Sequence, residues 1–67
     1  MPIIIIEGPK IDKDKKSRLV KELTKKASEI FDLPEQTITI LIKENNSDNV
    51  GIGGNLLSDI TSNKSNQ

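Results

Sequence analysis

The hydrophobic pattern changes its period along the chain, and each change marks an element. Residues 2–7 read PIIIIE, and four β-branched side chains in a row favour extended backbone until Gly8-Pro9 ends any ladder. This predicts a strand over 2–7. From residue 13 the apolar positions fall at helical spacing, with Leu19, Leu23, Ala27 and Ile30 joined by Val20 and Phe31, so a helix is expected over 13–32. Asp12 is the expected N-cap, Asp14 suits the positive end of the helix dipole, and Leu33-Pro34 is a stop. Thr37–Glu44 then alternates: Ile38, Ile40 and Ile42 lie on one face, with Thr37, Thr39, Leu41 and Lys43 on the other. That is a second strand. Residues 45–49 are a polar loop, and Val50-Gly51-Ile52-Gly53-Gly54 predicts a short strand or hairpin before Leu56 and Leu57. Thr61–Gln67 contains no apolar residue, so a disordered tail is expected after a domain over 1–60.

Strand, helix and strand in this order most simply make two parallel strands joined by a right-handed crossover. The expected class is α+β, a β-α-β unit with a short C-terminal hairpin. The two strands differ in one respect: the second alternates and the first does not. Continuous apolar character implies cover on both faces, and a single helix covers only one. The second face therefore predicts another subunit. Size leads to the same place, because a chain of 67 residues with no Cys and no His has neither disulfides nor the usual metal ligands to supplement a small core.

Charge narrows the partners. Ten Lys plus Arg balance ten Asp plus Glu, and Phe31 is the only aromatic residue, which argues against a nucleic-acid partner. Lys13, Lys15, Lys16, Arg18, Lys21, Lys25 and Lys26 crowd the outer helix face, where Glu22 four residues before Lys26 suggests a solvated, ion-paired surface. No run approaches the ~18 apolar residues that would cross a bilayer, and no signal-peptide pattern precedes the first strand. No membrane partner and a cytoplasmic location are expected. No metal or nucleotide cofactor is indicated either: Asp12 and Asp14 are explained by the helix start, and the glycine-rich segment lacks a phosphate loop's ending.

Proline behind methionine has a bland reading and a chemical one. In a strand, proline sits at the start or the edge, and position 2 meets that requirement. If Met1 is trimmed, however, Pro2 presents a secondary amine on a rigid ring. An apolar surround disfavours its ammonium form and lowers its pKa toward neutrality, making it a candidate general base. Four isoleucines and a subunit interface offer that surround.

Pro2, the isoleucine-rich first strand, the Glu7-Gly8 turn, the Leu19, Val20 and Leu23 helix face, the alternating Ile38–Glu44 strand and the Val50-Gly51-Ile52-Gly53-Gly54 segment together resemble the 4-oxalocrotonate tautomerase family. The likeness runs from residue 2 to about residue 58. It implies an amino-terminal proline that moves a proton between oxygen and carbon of a small 2-hydroxy or 2-oxo acid, in a homo-oligomer that is usually a hexamer. Two arginines that bind substrate oxygens in the family correspond here to Lys10 or Ile11 and to Thr39, and a phenylalanine that closes the apolar part of the site corresponds to Val50. Lysine is a point charge and threonine has one hydroxyl, so neither reproduces a bidentate grip. On the resemblance, Pro2 is the catalytic candidate, Lys10 attracts a carboxylate, Thr39 hydrogen-bonds an oxygen, and Val50 with Ile52 forms the apolar wall.

Two alternatives stand beside this reading. A positively charged Pro2 acting as acid would serve a hydratase, dehalogenase or decarboxylase. A chain that keeps Met1 would carry an amide nitrogen at Pro2 and be a non-catalytic oligomeric module.

Overall fold

Two runs of β-branched residues set the ladder. In the computed structural model, which describes residues 1–65 and the side chains of residues 1–61, β1 is Ile3–Gly8 and β2 is Thr39–Glu44. They pair in parallel, with Ile3 opposite Thr39 and Gly8 opposite Glu44. Thr39 N–H donates to the Pro2 carbonyl at 3.1 Å and Asn45 N–H donates to the Gly8 carbonyl at 2.8 Å, so the ladder is closed beyond both ends. β2 begins two residues later than the alternation suggests. Thr37 is drawn into a 3-10 turn over Glu35–Thr37, where its N–H and its hydroxyl both donate to the Pro34 carbonyl, at 3.0 and 2.7 Å.

Helix α1, Lys13–Phe31, connects the two strands. Asp12 caps it as expected, its Oδ1 accepting from Lys15 N–H at 2.8 Å. The helix stops one residue short of the expected end because Asp32 turns into the left-handed region at φ 58° and donates its N–H to the Ser28 carbonyl. Leu19 and Leu23 are half-buried and Ala27 is buried, while Ile4, Ile6, Ile40 and Ile42 alternate inward along the strands. These residues form the core between helix and sheet.

Part of the expected helix stripe lies outside that core. Nineteen helical residues span about 28 Å, whereas a six-residue strand spans about 20 Å, so the last turns of α1 run past the sheet. Ile30 and Phe31 accordingly stand exposed at 76% and 57%. The basic face also pairs differently from the sequence expectation: Glu22 receives Arg18 at 3.0 Å rather than Lys26, which reaches Glu29 at 3.4 Å.

After β2 a second 3-10 turn, Ser47–Asn49, leads into an antiparallel hairpin of β3, Gly51–Ile52, and β4, Asn55–Leu56. Gly53 and Gly54 form its two-residue turn at φ 58° and 86°, a geometry that asks for positive φ at both positions. The hairpin leans on the Ser47–Asn49 turn and on helix α2, Leu57–Ser65, rather than on the β1–β2 sheet.

A tail without regular structure was expected over 61–67, yet the chain is helical through residue 65; residues 66 and 67 lie outside the described part. Leu57 and Ile60 start the turn half-buried, and the Thr61 hydroxyl donates back to the carbonyls of Leu57 and Ser58 at 3.1 and 3.2 Å, extending it.

Candidate active site

The direction of the strands decides which candidate residues meet. Because β1 and β2 run parallel, both begin at one end of the sheet and both finish at the other. Pro2 and Thr39 lie together at the beginning, joined by the Thr39 N–H to Pro2 carbonyl bond. Lys10 and Val50 lie at the finish, on a cavity of about 680 Å³. The length of a six-residue strand, about 20 Å, separates the two groups. Ile52 belongs to neither: it sits in β3, 54% exposed. One chain therefore does not bring Pro2 together with Lys10, Val50 and Ile52, as a single site would require.

The cavity is built from strand exits. Gly8-Pro9 breaks β1 and turns the chain toward α1, which places Lys10 on the rim; Val50 and Leu57 come across from the hairpin stem, where Leu57 N–H donates to the Val50 carbonyl at 2.7 Å. Pro9, Val50 and Leu57 provide apolar wall. Glu7, Lys10 and Glu44 provide the charge. Sequence reasoning had no role for the two glutamates, yet they organise this end of the molecule. Glu44 Oε2 accepts from Lys16 Nζ at 2.9 Å and from Ile11 N–H at 3.2 Å, tying the Lys10 loop and the first turn of α1 to the end of β2. The Lys16 hydrogen bond first, and the Ile11 N–H second, hold the Glu44 carboxyl below the usual glutamate range. Glu7 Oε1 accepts from Asn45 Nδ2 at 3.0 Å. Among the described residues Lys10 enters no ion pair. The signal for Glu44 was its place: in a parallel pair, the residue that ends the second strand must face the break that ends the first.

The Pro2 end is different in kind. Met1 projects into solvent at 90% exposure, while Pro2 is half-buried, in phase with Ile4 and Ile6 along the strand. No titratable side chain shares the register there, because Thr39 and Ile40 are the residues opposite. Among the described residues, no helix is long and apolar enough to cross a membrane.

A family model described as "Tautomerase enzyme" matches residues 2–60, which begins at Pro2 and includes every candidate above. The chain belongs to the tautomerase family. DmpI from Archaeoglobus fulgidus, known by crystal structure, is 46% identical, the match covering 87% of this chain and 100% of that one, with a TM-score of 0.80. A 4-oxalocrotonate tautomerase homologue designated TTHB242 is 28% identical over 88% of this chain and 95% of its own, again at 0.80. TomN, a 4-oxalocrotonate tautomerase homologue in the tomaymycin biosynthetic pathway, is 18% identical and covers 91% and 95% at a TM-score of 0.85, a likeness of fold. No curated protein matches the chain.

Proposed function

We propose that this chain is the subunit of a cytoplasmic homo-oligomeric tautomerase, by family analogy a hexamer, that moves a proton between oxygen and carbon of a small unsaturated 2-hydroxy or 2-oxo acid. Pro2, freed by loss of Met1, is its base and then its acid. The observation that carries this reading is the family match over residues 2–60, which starts on the proline itself. The placement of Pro2 and the Lys10 cavity at opposite ends of one sheet supports a site completed between copies.

In the proposed step the Pro2 nitrogen lone pair takes the proton of the substrate's 2-hydroxyl. The oxygen electrons close the carbonyl, the displaced π pair reaches carbon, and that carbon takes the proton back from the prolinium. Nothing is oxidised or reduced. A free α-amino group titrates at about 8, and burial against aliphatic side chains disfavours its charged form, which brings the base into the working range. The isoleucines of β1 and their copies in a neighbouring subunit are suited to provide that burial. Thr39, opposite Ile3, is within one residue of Pro2 along the ladder and has a hydroxyl to donate to a substrate oxygen. Lys10 from another copy would attract the carboxylate, with Val50 as apolar wall; Ile52, on the exposed hairpin, would reach the site only from a further copy.

The test begins with intact mass, which must show loss of one methionine. Trimmed protein should accelerate ketonisation of phenylenolpyruvate, and Pro2→Ala should lower kcat about 10²- to 10⁴-fold, the usual worth of a positioned acid-base group. Equal rates for the two proteins, or retained methionine in active material, would overturn the proposal. A Pro2 titration well above 9 rather than near neutrality would assign the proline as acid and move the reaction to hydration, dehalogenation or decarboxylation.

A further inference from the structure

The charge inventory of the cavity at the strand exits specifies its ligand more narrowly than the family does. Lys10 is the cation on that surface without an ion-pair partner among the described residues. The other charged groups lining it are the carboxylates of Glu7 and Glu44. Glu44 has its partners already, in Lys16 Nζ and Ile11 N–H, and one N–H of the Asn45 amide is committed to Glu7. Asn46 accepts from Asp48 N–H at 2.9 Å through its side-chain oxygen, which leaves its amide N–H groups, with the Ser47 hydroxyl, as neutral donors on the lining. One ligand carboxylate thus has a docking point at Lys10, a charge-assisted contact. A second carboxylate on the same molecule would find no second cation on this lining: it would have to rely on the neutral Asn46 amide and Ser47 hydroxyl, lie against the apolar Pro9, Val50 and Leu57, or approach two glutamates, where like charges repel.

We infer that the cavity takes a monocarboxylate with an apolar body and discriminates against dicarboxylates, with Lys10 holding the carboxylate and Val50 and Leu57 lining the body. The inference rests on the proposed tautomerase site, since that reading makes this cavity the carboxylate-binding half. A proton-transfer site with one anion anchor acts on 2-oxo acids whose far end is a hydrocarbon chain or ring. Glu7 is the specificity element in this arrangement, because it faces the cavity without being tied to a cation among the described residues.

A matched pair of probes isolates the point. 2-Oxohexanoate and 2-oxoadipate have the same six-carbon chain and differ only in a terminal methyl against a terminal carboxylate. Their dissociation constants for the assembled protein, measured by titration calorimetry at pH 7, should favour 2-oxohexanoate by at least about tenfold. Glu7→Gln should narrow the gap several-fold by strengthening 2-oxoadipate binding. Lys10→Gln should weaken 2-oxohexanoate about tenfold, the loss of one charge-assisted contact. Equal affinities, tighter binding of 2-oxoadipate, or binding of neither probe would overturn the inference. Its failure is separable from that of the tautomerase reading: a strong preference for 2-oxohexanoate in a protein with no Pro2-dependent turnover sinks only the reaction, whereas Pro2-dependent turnover with equal affinities sinks only the selectivity.

Discussion

The two faces of the β1–β2 sheet carry the same kind of residue and meet different fates. Ile4, Ile6, Ile40 and Ile42 point toward α1 and are half-buried; Ile3, Ile5 and Leu41 point the other way and remain 54%, 56% and 47% exposed. A face that is apolar and bare is costly in water, at roughly 25 cal/mol for each Å² that stays unburied. The chain's dimensions lead to the same conclusion. Its radius of gyration is 15.9 Å, whereas a compact domain of this length would have one near 11 Å. The helix-covered face explains how the chain folds; the bare face explains why it should not remain alone.

The sharpest way to break the comparison is to charge each face in turn or hollow it. Ile5→Asp places a carboxylate on the bare face, and the expected outcome is complete loss of assembly, read by light scattering on a sizing column. A protein that stays assembled would show the bare face is not the interface. Ile6→Ala hollows the covered face and should cost about 2 kcal/mol or somewhat more while leaving the subunit number unchanged. Melting temperatures must be compared at fixed protein concentration, because an assembly's stability depends on it. A change of subunit number in Ile6→Ala without a drop in stability would reverse the assignment of the faces.

A smaller effect sharpens the covered side alone. Asp12 starts α1 by accepting Lys15 N–H at 2.8 Å, and the start of the helix fixes where its apolar stripe meets the sheet. Asp12→Ala should lower stability by about 1 kcal/mol, with Asp12→Ser recovering most of it, as measured by denaturant midpoints. If serine fails to recover it, the cap is not the reason for the loss.

What could be read from the sequence follows the same division. β2 was legible because one face meets a helix and the other does not, which writes alternation into Ile38–Leu41 directly. β1 was legible by residue type, and its lack of alternation already pointed to a second chain. The ends of α1 were legible through Asp12 and Leu33-Pro34, the hairpin through Gly53-Gly54. Helix α2 was not: Ser58, Asp59 and Thr61 favour caps and turns as readily as helix, and the stretch has no apolar stripe beyond Leu57 and Ile60. For the site, each residue could be named but its neighbours could not. That Pro2 lies far from Lys10 follows from parallel pairing, a tertiary fact, and the roles of Glu7 and Glu44 depend on contacts 38 and 33 residues apart in the chain.

Glu44 offers the finest test, because it binds the covered face at one corner and has nothing to do with the bare one. Lys16 and Ile11 favour its ionised form, so the folded chain holds its carboxyl below the value of about 4.3 at which a free glutamate titrates. Between those two values the unfolded chain binds the proton and the folded chain does not, and stability therefore rises with pH through that window. The contribution is complete above the free value and drains away as pH falls through the lowered one. Both partners keep about a third of their side-chain surface in water, 36% for Lys16 and 31% for Glu44, so the effect is small and weakened by salt. Wild type should therefore melt slightly above Glu44→Gln at pH 7 and equally above it at about pH 6, with the gap closing toward zero by about pH 2. A gap that widens on acidification would place the carboxyl's folded pKa on the other side of its free value and undo the assignment of Lys16 as its partner.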